Sequence, residues 1–291
     1  MKLMMFEKAG GPALGSTLGL VEGDSVIDLA AADASLPKDL ASLIAAGPSA
    51  LAGVKAAAGK APASAKLPLK SVKAALPIAR PPKFICVGLN YALHAKEGGH
   101  PIPTYPSFFM RVPTSLNAAG TPVVRPKVSI QLDYECELTI VIGKGGRHIP
   151  EAKALDHVFG YTLFNDVSVR DFQRKTTQWT AGKNFDATGP LGPWIVTADE
   201  IPDPGKLTLT TRLNGQQVQH SGTDKLIYSC QQIVSFCSDF TELHPGDVIA
   251  TGTPEGVGHS RKPPLWMKPG DLLEVEISGI GVLRTKIVDE K

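Results

Sequence analysis

The chain has 291 residues, 43% of them hydrophobic, with 30 basic and 28 acidic side chains and a formal net charge of +2. That length can bury a large core, as one big domain or a small one plus a big one, and the balanced charge without a basic block argues against a nucleic-acid surface. No apolar run approaches the ~20 residues needed to span a membrane, and the start Met1-Lys2-Leu3-Met4-Met5-Phe6-Glu7 is charged too soon for a signal peptide, so the expected partner is a small molecule.

Residues 1 to about 30 read as short strands around the turns Gly10-Gly11-Pro12 and Glu22-Gly23-Asp24. A helical stretch from Leu40 to Ala58 is interrupted at Gly47-Pro48, and the Ala-, Pro- and Lys-rich run from Pro62 to Pro82 reads as a connector. A boundary is expected there, with a small N-terminal α+β domain over 1–75 and a larger domain over 76–291. Beyond it β-structure dominates. Phe84-Ile85-Cys86-Val87-Gly88 is an apolar strand, and Leu132 to Gly143 reads as one continuous strand. Thr208 to Gln219 is a hairpin about Asn214-Gly215, and Leu272–Ile277 with Val282–Ile287 closes the chain as another. Helices are expected near Tyr91–Glu97, near Ser168–Lys175 and over Ser229–Phe240. The fold class is therefore α+β, mainly β.

Cys86, Cys136, Cys230 and Cys237 are widely spaced and form no C-x-x-C pair, which predicts reduced core thiols and a cytoplasmic setting. The seven histidines include no H-E-x-x-H, so a zinc site is not expected.

The chemistry concentrates in Leu132-Asp133-Tyr134-Glu135-Cys136-Glu137-Leu138. Alternate strand positions share a face, so Glu135 and Glu137 lie close enough to grip one cation; a solvated strand face is the plain alternative. Asp166, at the end of the apolar segment Gly160–Phe164, offers a third oxygen donor, unless it caps the helix that follows. Three carboxylates against one dication leave a negative excess, which predicts a nearby cation, Lys183 or Arg170. Arg170 and Gln173 are three apart on a helix and can face one site. His94 and Glu97 have the same spacing, and the pair can serve as an acid/base couple or simply as a surface ion pair. The Pro-rich sequel His100–Pro106 has the character of a lid. Ala250–Gly258 lacks the phosphate-loop pattern, but its backbone N–H groups and the Thr253 hydroxyl can hold a carboxylate or keto oxygen. Carboxylate-rich ligation suits a hard ion, Mg²⁺ with Mn²⁺ or Ca²⁺ as alternatives.

In this order, Val87-Gly88-Leu89-Asn90-Tyr91, the D-x-E-x-E-L strand, Asn165-Asp166-Val167-Ser168, Arg170-Asp171, Gly182-Lys183, Pro190–Pro193, Pro245–Ile249 and Thr251-Gly252-Thr253-Pro254 resemble the fumarylacetoacetate hydrolase superfamily from about Lys83 to Val288. The resemblance implies a mixed β-roll behind a small N-terminal domain, paired as a homodimer. It implies metal ligands Glu135, Glu137 and Asp166, a lid dyad His94 and Glu97, a lysine at Lys183, and substrate contacts at Arg111, Arg170, Gln173 and Thr253. Many relatives have Phe-x-Lys-Pro where this chain has Phe109-Met110-Arg111-Val112-Pro113, so the contact at Arg111 is expected to be reshaped. The expected reaction is hydrolytic C–C cleavage of an acylpyruvate or other 2,4-dioxo acid, with Glu97 activating water. Oxaloacetate decarboxylation, tautomerisation or 2-hydroxy-diene-dioate isomerisation is the alternative on the same scaffold, and a non-catalytic metabolite binder with a structural metal is the alternative outside it.

Overall fold

The computed structural model describes residues 1–8 and 15–291, so the expected turn at Gly10-Gly11-Pro12 lies outside the described residues. A 12-stranded sheet forms the frame. From one edge it runs through Lys66–Pro68, Ser25–Asp28, Thr17–Glu22, Lys2–Lys8, Gly189–Thr197, Val158–Asn165, Cys136–Ile142, Val248–Ala250 and Phe84–Gly88 to Ser107–Met110. The N-terminal strands thus extend the same sheet, with Lys2 and Leu3 opposite Val196 and Ile195. A second sheet of five strands holds both expected hairpins. Leu138, Ile140, Leu209, Val275 and Ile277 share one buried cluster, while Leu3, Ile27, Cys86 and Val141 belong to a second. The α+β, mainly β class expected from the pattern is the class observed.

Local chemistry explains most elements. Gly47-Pro48 divides the Ala-rich stretch into helices Leu40–Ala46 and Pro48–Gly59, because Pro is favoured at a helix start and carries no N–H for the interior. Asn214 and Gly215 both have positive φ, 53° and 80°, the conformation a two-residue hairpin turn requires. Ser229 caps helix Cys230–Phe240 through a reciprocal bond with Gln232. In the last hairpin Leu273, Val275 and Ile277 are buried while their neighbours are not, which is the period-two pattern of a one-sided strand.

Three expectations are corrected. Pro62–Pro82 is more than a connector: Lys66–Pro68 pairs with Ser25–Asp28, and Val72–Ala74 pairs with Lys2–Lys8. The run from Leu132 is two strands, since Leu132–Asp133 pairs with Ser168–Val169 while Cys136–Ile142 pairs with Val158–Asn165. At the break the Glu135 N–H donates to the Asn165 side chain at 3.0 Å instead of to a ladder carbonyl. Ser168 and Val169 are consequently strand, and the helix shrinks to the single turn Arg170–Gln173.

Gly160 shows how closely the central strands approach. A Cβ there would stand 2.2 Å from the Val196 carbonyl oxygen on the neighbouring strand. Gly160→Ala is expected to destabilise the fold by about 1–3 kcal/mol, as overpacked sites do. Chemical denaturation measures this, and an unchanged midpoint would show that the strands part freely.

Candidate functional site

Glu135 leaves the strand break, Glu137 lies on strand Cys136–Ile142, and Asp166 follows the end of the adjoining strand Val158–Asn165. Antiparallel pairing of Cys136 with Asn165 brings these segments together. One oxygen from each of the three carboxylates lies within 4.8 Å of the others, and all three residues are buried. Asp166 is not the helix cap: the turn Arg170–Gln173 starts from Val169 without a side-chain cap.

The expected cations are present. Lys183, 1% exposed, places Nζ 2.6 Å from Glu135 Oε2 and 2.7 Å from Asp166 Oδ2. Arg170 Nη2 stands 2.7 Å from Glu135 Oε1, and its Nε 2.8 Å from Asp133 Oδ2. Asp133 is thus an anchor for Arg170, and it also accepts the backbone N–H groups of Gly258 and His259. Gln173 accepts from Arg170 Nη1 at 2.9 Å and lines the cavity. Arg111 lies behind the triad, its Nε 2.9 Å from Asp166 Oδ1 and its other nitrogens donating to Thr188 and the Val167 carbonyl. It does not line the cavity, so its geometry is that of a support for Asp166.

The three carboxylates are not electrostatically equal. Burial pushes the Glu135 carboxyl up, but Lys183 and Arg170 outweigh it and hold the group down at about 2. Glu137 makes no ion pair and feels Lys183 only at longer range. Burial raises it well above the usual carboxylate range, and the charges of Asp166 and Glu135 raise it further, against the charge of Lys183 and one N–H bond from Gly252 at 2.9 Å. Lys183 is disfavoured by burial yet held charged by Asp166 and Glu135. A buried carboxylate beside two others, without an ion pair and with one oxygen not engaged by the Gly252 N–H, suits a hard divalent cation.

The loop after strand Val248–Ala250 supplies the backbone donors. Gly252 has φ 98°, and a Cβ would stand 2.8 Å from Asn90 Cβ, so only glycine lets its N–H reach Glu137. Thr253 lines the cavity. Its hydroxyl accepts from Gln219 Nε2 at 3.0 Å, while Gln219 Oε1 accepts from the Cys136 N–H and the Thr211 hydroxyl, which fixes the amide orientation. Thr253 therefore keeps its own hydrogen for a ligand. Gln219 has no role assigned from the sequence, and Asn90 enters there only as part of a family motif; Asn90 ties the loop of Thr251 to Tyr228 by three buried bonds. Their bonds to the loop cross 34 positions from Gln219 to Thr253 and 161 from Asn90 to Thr251, which no local signal records.

Helix Ala92–Glu97 carries the dyad, with His94 Nδ1 2.8 Å from Glu97 Oε1. The other Glu97 oxygen accepts the Gly256 N–H at 2.9 Å. His94 lines the cavity and Glu97 does not. Because a carboxylate only accepts, the hydrogen belongs on Nδ1, leaving Nε2 as the free basic nitrogen. The cavity holds about 400 Å³ and collects His94, the acidic triad, Lys183, Gln173 and Thr253, with Phe109, Trp179 and Val257 as apolar walls. His100, from the expected lid, lines it as well. Residues 98–106 carry no regular element, and the Pro103 carbonyl accepts from the Tyr228 hydroxyl.

The four cysteines are free and buried, and no helix among the described residues is long and apolar enough to cross a membrane. Residues 83–288 match the family described as Fumarylacetoacetate (FAA) hydrolase C-terminal. A relative from Xenopus laevis, oxaloacetate tautomerase fahd2, mitochondrial, is 40% identical over 290 residues, 99% of this chain and 90% of the relative. The crystal structure of fumarylacetoacetate hydrolase from Exiguobacterium antarcticum superposes with a TM-score of 0.84 at 34% identity, covering 100% of both chains. Maleylpyruvate hydrolase from Sphingobium sp. SYK-6, in complex with manganese and pyruvate, superposes at 0.83 with 29% identity, again over 100% of both chains.

Proposed function

Because the chain belongs to the fumarylacetoacetate hydrolase family, whose members compared above are enzymes, we propose that it catalyses proton transfer next to the carbonyl of a 2-oxo acid, as keto–enol tautomerisation of an oxaloacetate-like substrate. The observation that carries this reading is the orientation of the dyad. Both Glu97 oxygens are occupied, and the imidazole of His94 faces the cavity, an arrangement suited to carrying a proton and less suited to activating water through Glu97. The oxaloacetate tautomerase relative, similar along almost the whole chain, supports the same choice over the hydrolysis expected from the sequence.

A divalent ion held by Glu135, Glu137 and Asp166, Mg²⁺ with Mn²⁺ or Ca²⁺ as substitutes, would polarise the 2-oxo group as a Lewis acid. The protein does the rest. Thr253 donates its hydroxyl hydrogen to a carboxylate or oxo oxygen of the substrate. Lys183 and Arg170 keep Glu135 ionised, and Arg111 steadies Asp166. His94 Nε2 takes the proton from the carbon beside the carbonyl and returns one to oxygen, with Glu97 holding the ring through Nδ1. Phe109, Trp179 and Val257 limit the water around the developing charge.

His94→Gln is expected to lower turnover by roughly 10²–10⁴-fold, the usual contribution of a positioned acid/base, with oxalate binding retained. Glu97→Gln should cost less, since the amide oxygen can still accept from Nδ1 while only the Gly256 contact is lost. Loss of enol absorbance from freshly dissolved oxaloacetate measures the rate. If His94→Gln keeps the parent rate, or if the protein leaves oxaloacetate untouched while releasing pyruvate from acylpyruvates, the tautomerase reading is wrong. Hydrolysis is the second reading, favoured by the likeness to the pyruvate-bound maleylpyruvate hydrolase. The four buried thiols accord with a reducing compartment such as the cytoplasm, and the aromatic cluster in which exposed Tyr105 and Phe240 flank half-buried Phe108 accords with a homodimer.

A further inference from the structure

Arg170 and Lys183 line the cavity, but both are spent on Asp133, Glu135 and Asp166. Arg174 lines the same cavity and, among the described residues, pairs with no carboxylate. It follows the turn Arg170–Gln173, with its N–H bonded to the Arg170 carbonyl at 3.1 Å. Four residues along a helical turn put the two side chains on one side, and the burial of Arg170 against the exposure of Arg174 places Arg174 nearer the mouth.

Its Nη1 contacts Nε2 of His259, another cavity residue. A guanidinium only donates, so this imidazole accepts at Nε2 and is neutral. Burial, Arg170 and Arg174 all lower its pKa, in keeping with that state. The backbone of His259 donates to Asp133 Oδ2, the oxygen that also takes Arg170 Nε, so the mouth is tied to the floor of the site. Arg174 thus presents an uncompensated planar donor over a cavity whose floor is acidic, the form of group that recognises a carboxylate.

We propose that Arg174, braced by His259, receives the distal carboxylate of the substrate, so that the site selects 2-oxo dicarboxylates over 2-oxo monocarboxylates. The assignment rests on the reading that the 2-oxo end is held at the acidic triad. The test is calorimetric binding to the Mg²⁺-loaded chain of two ligands of equal carbon number, 2-oxoglutarate and 2-oxopentanoate. The parent protein is expected to favour the diacid by on the order of tenfold, the scale of one charge-assisted contact at a cavity mouth. In Arg174→Met that ratio should fall to about one, and in Arg174→Lys it should be intermediate. A parent ratio near one, or a ratio kept in Arg174→Met, overturns the assignment. Oxalate has no distal group and separates the two readings. If oxalate binds and the ratio survives the substitution, Arg174 alone is wrong; if oxalate does not bind the parent protein, the placement of the 2-oxo end fails and the assignment with it.

Discussion

Glu137→Gln is expected to lower divalent-metal affinity by at least about a hundredfold, about 2.7 kcal/mol, and turnover by orders of magnitude, while making the metal-free protein more stable at neutral pH. The two effects have one origin. Glu135 and Asp166 each face cationic side chains, whereas Glu137 is buried, has one backbone N–H for company and sits beside both other carboxylates. An acid raised in the folded state contributes stability below its unfolded pKa and loses it as pH rises through the folded value. At neutral pH without metal Glu137 therefore works against the fold, whether it stays charged or takes up a proton, and a neutral amide removes that penalty while still accepting from Gly252. Thermal melts in a chelator should place the variant above the parent protein, and melts in excess Mg²⁺ should reverse the order. The same order in both buffers would show that Glu137 is no ligand.

Lys183→Met should have the opposite sign without metal. Removing the ammonium leaves Glu135 and Asp166 buried with one fewer counter-charge, and breaking a buried pair from one side costs about 3–5 kcal/mol. Methionine fills most of the same volume, so the loss is electrostatic. A dication then replaces part of the missing charge, and Mg²⁺ should raise the stability of Lys183→Met by more than it raises that of the parent. Lys183→Arg is not expected to rescue, because the single Nζ donates at once to Glu135 Oε2, Asp166 Oδ2 and the Asp166 carbonyl, a convergence that a planar fork of separate donors does not reproduce. Urea denaturation with and without Mg²⁺ measures both increments. Equal increments would mean that Lys183 and the metal do not share the same carboxylates. Turnover of Lys183→Met is expected to fall as well, because Glu135 and Asp166 lose their common tether.

Much of this site was legible in the chain. The alternation of Glu135 and Glu137, the i, i+3 spacing of His94 and Glu97, and the Asn214-Gly215 turn are encoded within a few residues, and the structure contains each. The expected cations Lys183 and Arg170 both meet Glu135. The strand through Tyr134 misled, because side-chain alternation continues while the ladder partner changes from Ser168–Val169 to Val158–Asn165. Arg111, expected at a substrate, stands against Asp166: a basic residue in a loop can face a ligand or a protein carboxylate, and the local sequence is the same in either case.

The sequence by itself determined which groups exist and which near neighbours share a face, since the periods of strand and helix and the φ preferences of Gly, Asn and Pro act over one to four residues. Only the tertiary structure decided where each charge is spent. Arg111 reaches Asp166 across 55 positions, Lys183 reaches Glu135 across 48, and the Gly256 N–H turns Glu97 away from the cavity from 159 positions along the chain. Coulomb and hydrogen-bond energies depend on distance in space, and no local pattern records which remote segments the sheet will bring together.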